Sequence, residues 1–343
     1  MNNFKLTALT FALSVASTSS YAIVDGSNLN WQENENIVAS SCTGLVIANK
    51  FILTAAHCEY ENNTNHFSNG DAVDATNQIF HPQYQKGILE YSDFSFWVVP
   101  TTPRIEKIDF LNPLLVIPGD VLRPTGFGGT GLDLNQATMN VVPNESADEY
   151  PTIKMSFTGN GHTTEGDSGG ANYDDNGFVV ALTSAGNGTD TYSAMLHGAA
   201  DWILETVNGW HYQTGVTVSN GETKTIKVQS LHTGTTNLLN TIYTDGDASI
   251  DTASITCESP ESVPSDSSAV NEFDICTLQV TSNGGHGFIY LTDSEKVEVN
   301  EPADVINPEP EPNTGGGSGG STSIFSLLAL GAFGILRKRK LTK

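Results

Sequence analysis

The chain has 343 residues, with 39 acidic against 15 basic side chains and a formal net charge of −24. That length exceeds a typical single domain, so two domains plus processed segments are expected. So acidic a surface favours solubility and repels nucleic acid and anionic membranes, which excludes those partners.

Residues 1–22 carry the three parts of a secretory signal. Lys5 supplies the positive start, residues 6–15 an apolar stretch too short to span a bilayer, and Ser20-Tyr21-Ala22 a small-x-small cleavage site. Cleavage there exposes Ile23-Val24-Asp25-Gly26. Export also suits four cysteines, an even number that can pair in an oxidising compartment. Residues 37–40 and 45–47 read as short strands, Asn49-Lys50 as a turn, and 51–53 as the start of a third strand. Thr54-Ala55-Ala56-His57-Cys58 follows. Further on come His81-Pro82-Gln83-Tyr84, then Asp93 ahead of an apolar run to Val99, and a strand candidate at 113–116.

Residues 126–131 match G-x-G-x-x-G, but 132–138 offers neither the helix nor the βαβ unit that a dinucleotide site requires. The acids of Asp174-Asp175-Asn176-Gly177 lack the spaced pattern of a calcium loop, and the stretch predicts a hairpin between apolar strands. Residues 199–207 have apolar positions at helical spacing (Trp202, Ile203, Val207). Beyond Trp210 the composition shifts. Residues 211–300 are rich in Thr, Val, Ser and Gly, with alternating runs at 216–219, 223–229, 240–243 and 276–280; this predicts a small β-sandwich of immunoglobulin-like type. Cys257 and Cys276 are expected to pair within it. A Pro- and Gly-rich linker follows at 301–321, then a tail at 322–343 in which a short apolar run precedes Arg337-Lys338-Arg339-Lys340.

The stretch Glu165-Gly166-Asp167-Ser168-Gly169-Gly170 places a hydroxyl between glycines, with an acid just before it. Glycine lets the N–H groups of Gly166 and Ser168 point at one spot, where they would stabilise a developing oxyanion. The same residues satisfy the G-x-S-x-G elbow of α/β-hydrolases. That fold needs its histidine after the serine, and His197, His211, His232 and His286 lack comparable flanking sequence.

Thr54–Cys58 and Gly166–Gly170 in this order resemble the chymotrypsin/trypsin family of serine proteases. The resemblance covers residues 23–210 and implies an all-β fold of two antiparallel barrels. It implies Ser168 as nucleophile, His57 as the base that takes and returns the proton, and Asp93 as the acid that orients His57. It also implies an oxyanion hole from Gly166 and Ser168, and an ion pair between a freed Ile23 amino group and Asp167. Asp25 departs from the glycine usual at that position. Cys42 and Cys58 would staple the segment bearing His57, a bridge worth about 3 kcal/mol for a loop of this size. No metal or cofactor is implied. The end of the chain resembles the glycine-glycine sorting tail of secreted Gram-negative bacterial proteins, in which a membrane protease cuts near the glycines; a permanent anchor is the alternative. With both ends removed, 39 acids would face nine bases, a formal −30, because six of the 15 basic residues lie in those ends.

For specificity, the resemblance puts the pocket floor at His162, where trypsin-type enzymes have aspartate, and the pocket wall at Ser184-Ala185-Gly186. Asp190, two residues before the family-like Tyr192, would supply the anion for a basic side chain, since a buried charge needs a partner. The expected enzyme is a secreted or surface-bound endopeptidase that cuts protein or peptide substrates after Lys or Arg. A protonated His162 would instead admit acidic side chains. If both residues point away, an apolar preference remains. An exported binding or adhesion protein on an inactive scaffold is the competing reading, favoured by Ala185 and Asp25 and opposed by the intact His57, Asp93 and Ser168.

Overall fold

Strand periodicity explains how one short segment serves two cores. Along Thr43–Ile47 and Phe51–Thr54, successive side chains point to opposite faces. Leu45, Ile47, Phe51 and Leu53 enter one apolar cluster, while Val46 and Ile52 enter another with Val38, Trp97 and Val99. Both faces are buried, which is why the sequence reads there as an unbroken apolar run. The computed structural model describes residues 23–61, 63–86, 92–128, 131–144, 152–159 and 161–302. The expected signal at 1–22, most of the 301–321 linker and the tail at 322–343 lie outside them. Among the described residues, no helix is long and apolar enough to cross a membrane.

The first sheet has seven strands, in the order Ala72–Asp74, Thr64–His66, Ile37–Ala39, Thr43–Ile47, Phe51–Thr54, Ser95–Val98 and Asn77–Phe80. Six strands of the second sheet form a closed antiparallel ring. Val121–Gly126 pairs with Met139–Val142, which leads through Thr152–Phe157, Asp190–Met195 and Val179–Gly186 to Ala171–Tyr173. Pairing of Tyr173 with Arg123 closes it. Residues from both barrels meet in the large cluster between them, sealed by Trp202, Ile203 and Val207 of the helix Ala200–Val207. The Asp174–Gly177 turn forms as the sequence predicts, with the Asp174 carboxylate accepting from the N–H groups of Asn176 and Phe178.

Residues 113–116, expected as a strand, form none. Pro113 has no N–H to give a ladder, and Leu114 and Leu115 are exposed. Just before them, Leu111 forms an isolated bridge to Val179.

Residues from Gly209 onward build two further sheets around one core. Trp210, Ile226, Val228, Leu278 and Val280 come from one sheet, and Val216, Ile289, Val297 and Val299 from the other. Cys257 and Cys276 are bonded, and they face each other on adjacent strands of a single sheet. The antibody-type bridge runs between sheets, so any likeness to that fold is confined to the two-sheet plan.

These sheets are joined firmly to the barrels. Leu231 and Phe273 fill part of the core between the barrels. The Gln229 amide bonds both the N–H and the carbonyl of Leu111, at 2.9 and 2.7 Å. Buried His211 accepts from Ala48 N–H at Nδ1 and donates from Nε2 to the Asp109 carbonyl. Burial holds that imidazole down at about 4, so it is neutral near pH 7. The Tyr173 hydroxyl donates to the Asp109 carboxylate at 2.7 Å, and burial raises the Asp109 carboxyl above its usual range.

Candidate active site

His57 sits in the turn that ends the strand Phe51–Thr54, where Cys58 N–H returns to the Ala55 carbonyl. The Cys42–Cys58 disulfide closes that turn against the rest of the barrel. Asp93 precedes the strand Ser95–Val98, after Ser92 in the left-handed region (φ 47°). Strand pairing of Thr54 with Ser95 brings the two ends together. The fully buried Asp93 carboxylate then accepts from His57 N–H at 3.0 Å and from His57 Nδ1 at 2.7 Å. It also accepts from the Ser184 hydroxyl. With the carboxylate on the Nδ1 side of the ring, Nε2 stands on the opposite side. The imidazole is one-quarter exposed and lines an open cavity.

The segment bearing Ser168 comes from the second barrel and abuts the first. Gly169 has φ 79°, and a Cβ there would collide with Thr54, the Thr43 carbonyl and Ala55 N. Only glycine permits this approach. The Ser168 carbonyl accepts from Thr43 N–H at 2.9 Å, Gly169 donates to Thr183, and Gly170 donates to Asp167. Among the described residues, the N–H groups of Gly166 and Ser168 have no protein acceptor. They remain available to a ligand oxygen.

Asp167 points away from this spot into the second barrel. Its carboxylate accepts from Gly128 N–H at 2.7 Å and Thr164 N–H at 2.8 Å, and from the backbone N–H of Ile23. Burial dominates over these donors and pushes the carboxyl up to about 6. Ile23 is itself fully buried in the second-barrel core. Asp25 does not disturb the turn. It adopts φ 59°, a conformation that aspartate tolerates, and Gly26 N–H closes the loop onto the Ile23 carbonyl at 2.8 Å.

Of the expected pocket residues, Ser184 meets Asp93 and Gly186 faces Thr163, as given below. His162 is half-buried; its backbone bridges Val24, and its ring stands edge-on to Phe157 at 6.0 Å. Asp190 requires correction. It pairs across the sheet with Ser156, whose hydroxyl it accepts at 2.8 Å, and Lys154 Nζ is 3.0 Å from its other oxygen. These partners hold the carboxyl below its usual range. Asp190 is therefore no free anion for a substrate, and it lies on the face opposite its neighbour Thr191. Thr163, Thr191 and Lys154 went unnoticed in the sequence, since only strand register brings them to this place.

Beside His57 lies an open cavity of about 460 Å³, walled by Phe80, His81, Pro82 and Tyr84 and edged by the ion pair Lys86–Glu59. The sulfurs of Cys42 and Cys58 lie within 4.8 Å of a His57 ring nitrogen. Both are consumed in a disulfide, so neither offers the thiolate that binds metal.

No match was found among curated proteins. Among solved structures, the chain resembles mouse neuropsin, described as a serine protease expressed in the limbic system of mouse brain. The two are 20% identical with a TM-score of 0.47, over 53% of this chain and 98% of that one. A match to the trypsin family runs over residues 23–203, which includes both barrels and the junction where His57, Asp93 and Ser168 lie. That match spans more than half of the sequence, and the chain belongs to the trypsin family.

Proposed function

We propose that the protein is an exported serine endopeptidase that hydrolyses peptide bonds through an acyl-enzyme. The observation that carries this reading is the buried Asp93 carboxylate, which accepts hydrogen bonds from the backbone N–H and Nδ1 of His57 and leaves Nε2 to act as the base. Ser168 attacks the carbonyl carbon while Nε2 takes its proton. The carbonyl oxygen, now negative, receives the N–H groups of Gly166 and Ser168. His57 returns the proton to the leaving amine, and water repeats the sequence to release the acid.

Family membership supports protein or peptide substrates. The signal-like 1–22 and the glycine-glycine tail support secretion or surface display with passage through the export and tail-processing machinery. Two sheets around one core support a sandwich reading for residues 211–300. A preference for basic residues is not part of the proposal, because Lys154 occupies the Asp190 charge.

Labelling of the mature protein with a serine-directed fluorophosphonate tests the reading. The wild type should label and cleave casein, and Ser168→Ala should do neither. Loss of the nucleophile or base removes a factor of about 10⁶ in kcat. A correctly folded wild type that does not label would overturn the proposal.

A further inference from the structure

We infer that this protease accepts only small side chains immediately before the scissile bond, because Thr163 and Thr191 close the space that a long one needs. The inference rests on the proposed serine-protease reading. In the proposed serine-protease reading, the side chain before the cut lies between the two segments that flank the nucleophile, the floor and wall that the family resemblance assigns. One is the stretch 162–166 that runs into Ser168; the other is the end of Val179–Gly186, whose Ser184 touches Asp93.

There the two segments are in contact. Thr191 is the cross-strand partner of Gly186, so its side chain shares a face with the Cβ that Gly186 lacks. Thr163 lies on that face. Its Oγ1 is 2.6 Å from Thr191 Oγ1, and also 2.6 Å from the point where a Gly186 Cβ would stand. Real Cβ atoms essentially never come within 3.0 Å of another heavy atom, so no substrate atom passes between Thr163 and Gly186.

The closure is held from several sides. Thr163 is 3% and Thr191 0% exposed, and the two hydroxyls share one hydrogen bond. A β-branched side chain is stiff at χ1, and opening the pair would strand two buried hydroxyls. The connection behind them is equally fixed: the Asn187 side chain accepts from Thr189 and Asp190 N–H, and Asn187 N–H donates to the Asp190 carbonyl. Charge offers no compensation for a basic side chain, because Asp190 is turned to Lys154 and Ser156 on the other face.

The test is a peptide library varied at the residue before the cut, with rates expressed per fluorophosphonate-labelled site. Wild type should favour Gly, Ala and Ser over Lys, Arg, Glu and Phe by about tenfold or more in kcat/KM. Thr163→Ala with Thr191→Ala removes both hydroxyls together and should shift the ratio toward larger apolar residues by about tenfold. A labelled wild type that prefers Lys, Arg, Glu or Phe overturns this inference alone, as does a labelled double variant with an unchanged profile. If the double variant does not fold, the wild-type profile decides. A wild type that fails to label overturns the proposed function, and this inference with it.

Discussion

The contact between Ile23 and Asp167 gives a measurable difference between the uncut and the cut chain. In the uncut chain, Asp167 is buried with backbone N–H groups as its partners among the described residues, and its carboxyl is pushed up from 3.8 to about 6. Between those values the folded state holds a proton that the unfolded state has lost, so stability falls as pH rises through the window. A shift of roughly two units corresponds to about 3 kcal/mol, fully lost above pH 6. Cleavage after Ala22 changes the partner. The new amino group of Ile23, with an ordinary α-amino pKa near 8, is an ammonium below that pH, and it draws the carboxyl down again. Urea unfolding from pH 4 to 8 on two proteins, one retaining a short extension before Ile23 and one beginning at Ile23, reads the effect directly. The extended form should lose about 3 kcal/mol relative to the cut form between pH 4 and 6. Titrations common to both forms cancel in the difference. Parallel stability curves for the two proteins would refute the reasoning.

Three further outcomes are expected. Ser184→Ala removes one of the donors to the Asp93 carboxylate and should lower kcat about tenfold with little change in KM, measured per labelled site. The neutral, buried His211 resists protonation until about pH 4, so its contribution is present above 6.5 and is lost as pH falls toward 4; His211→Gln should flatten that acid limb of the unfolding curve. A chain ending at Asn208 lacks Leu231, Phe273 and the Gln229 bonds to Leu111, and should be recovered aggregated or protease-sensitive; a soluble, fully labelled product of that truncation would show that the barrels need no such cover.

The residues of the proposed chemical centre could be picked out in the sequence because their backbone requirements are local. A hydroxyl among glycines, a histidine between an apolar strand and a cysteine, and an acid before a buried strand each carry their geometry in adjacent letters. What surrounds them could not. Lys154 neutralises Asp190 only because the register sets Ser156 opposite Asp190, and Thr163 meets Thr191 only because a tight hairpin places the latter beside Gly186. Residues 113–116 had strand-like composition, yet a proline without an N–H and the absence of a neighbouring ladder left them outside any sheet. The polar seam of Asp109, His211 and Gln229 likewise joins residues over a hundred positions apart, beyond the reach of any local pattern.

The placement of Leu231 and Phe273 in the core between the barrels has a consequence for timing. A chain made amino end first presents Ser168 long before Phe273, roughly a hundred residues later, which at about 5–20 residues per second is an interval of roughly 5–20 s. Throughout that interval the core between the barrels lacks two of its fillers. The later-made sheets thus act as a clock, and the core between the barrels is filled only after both barrels have been made.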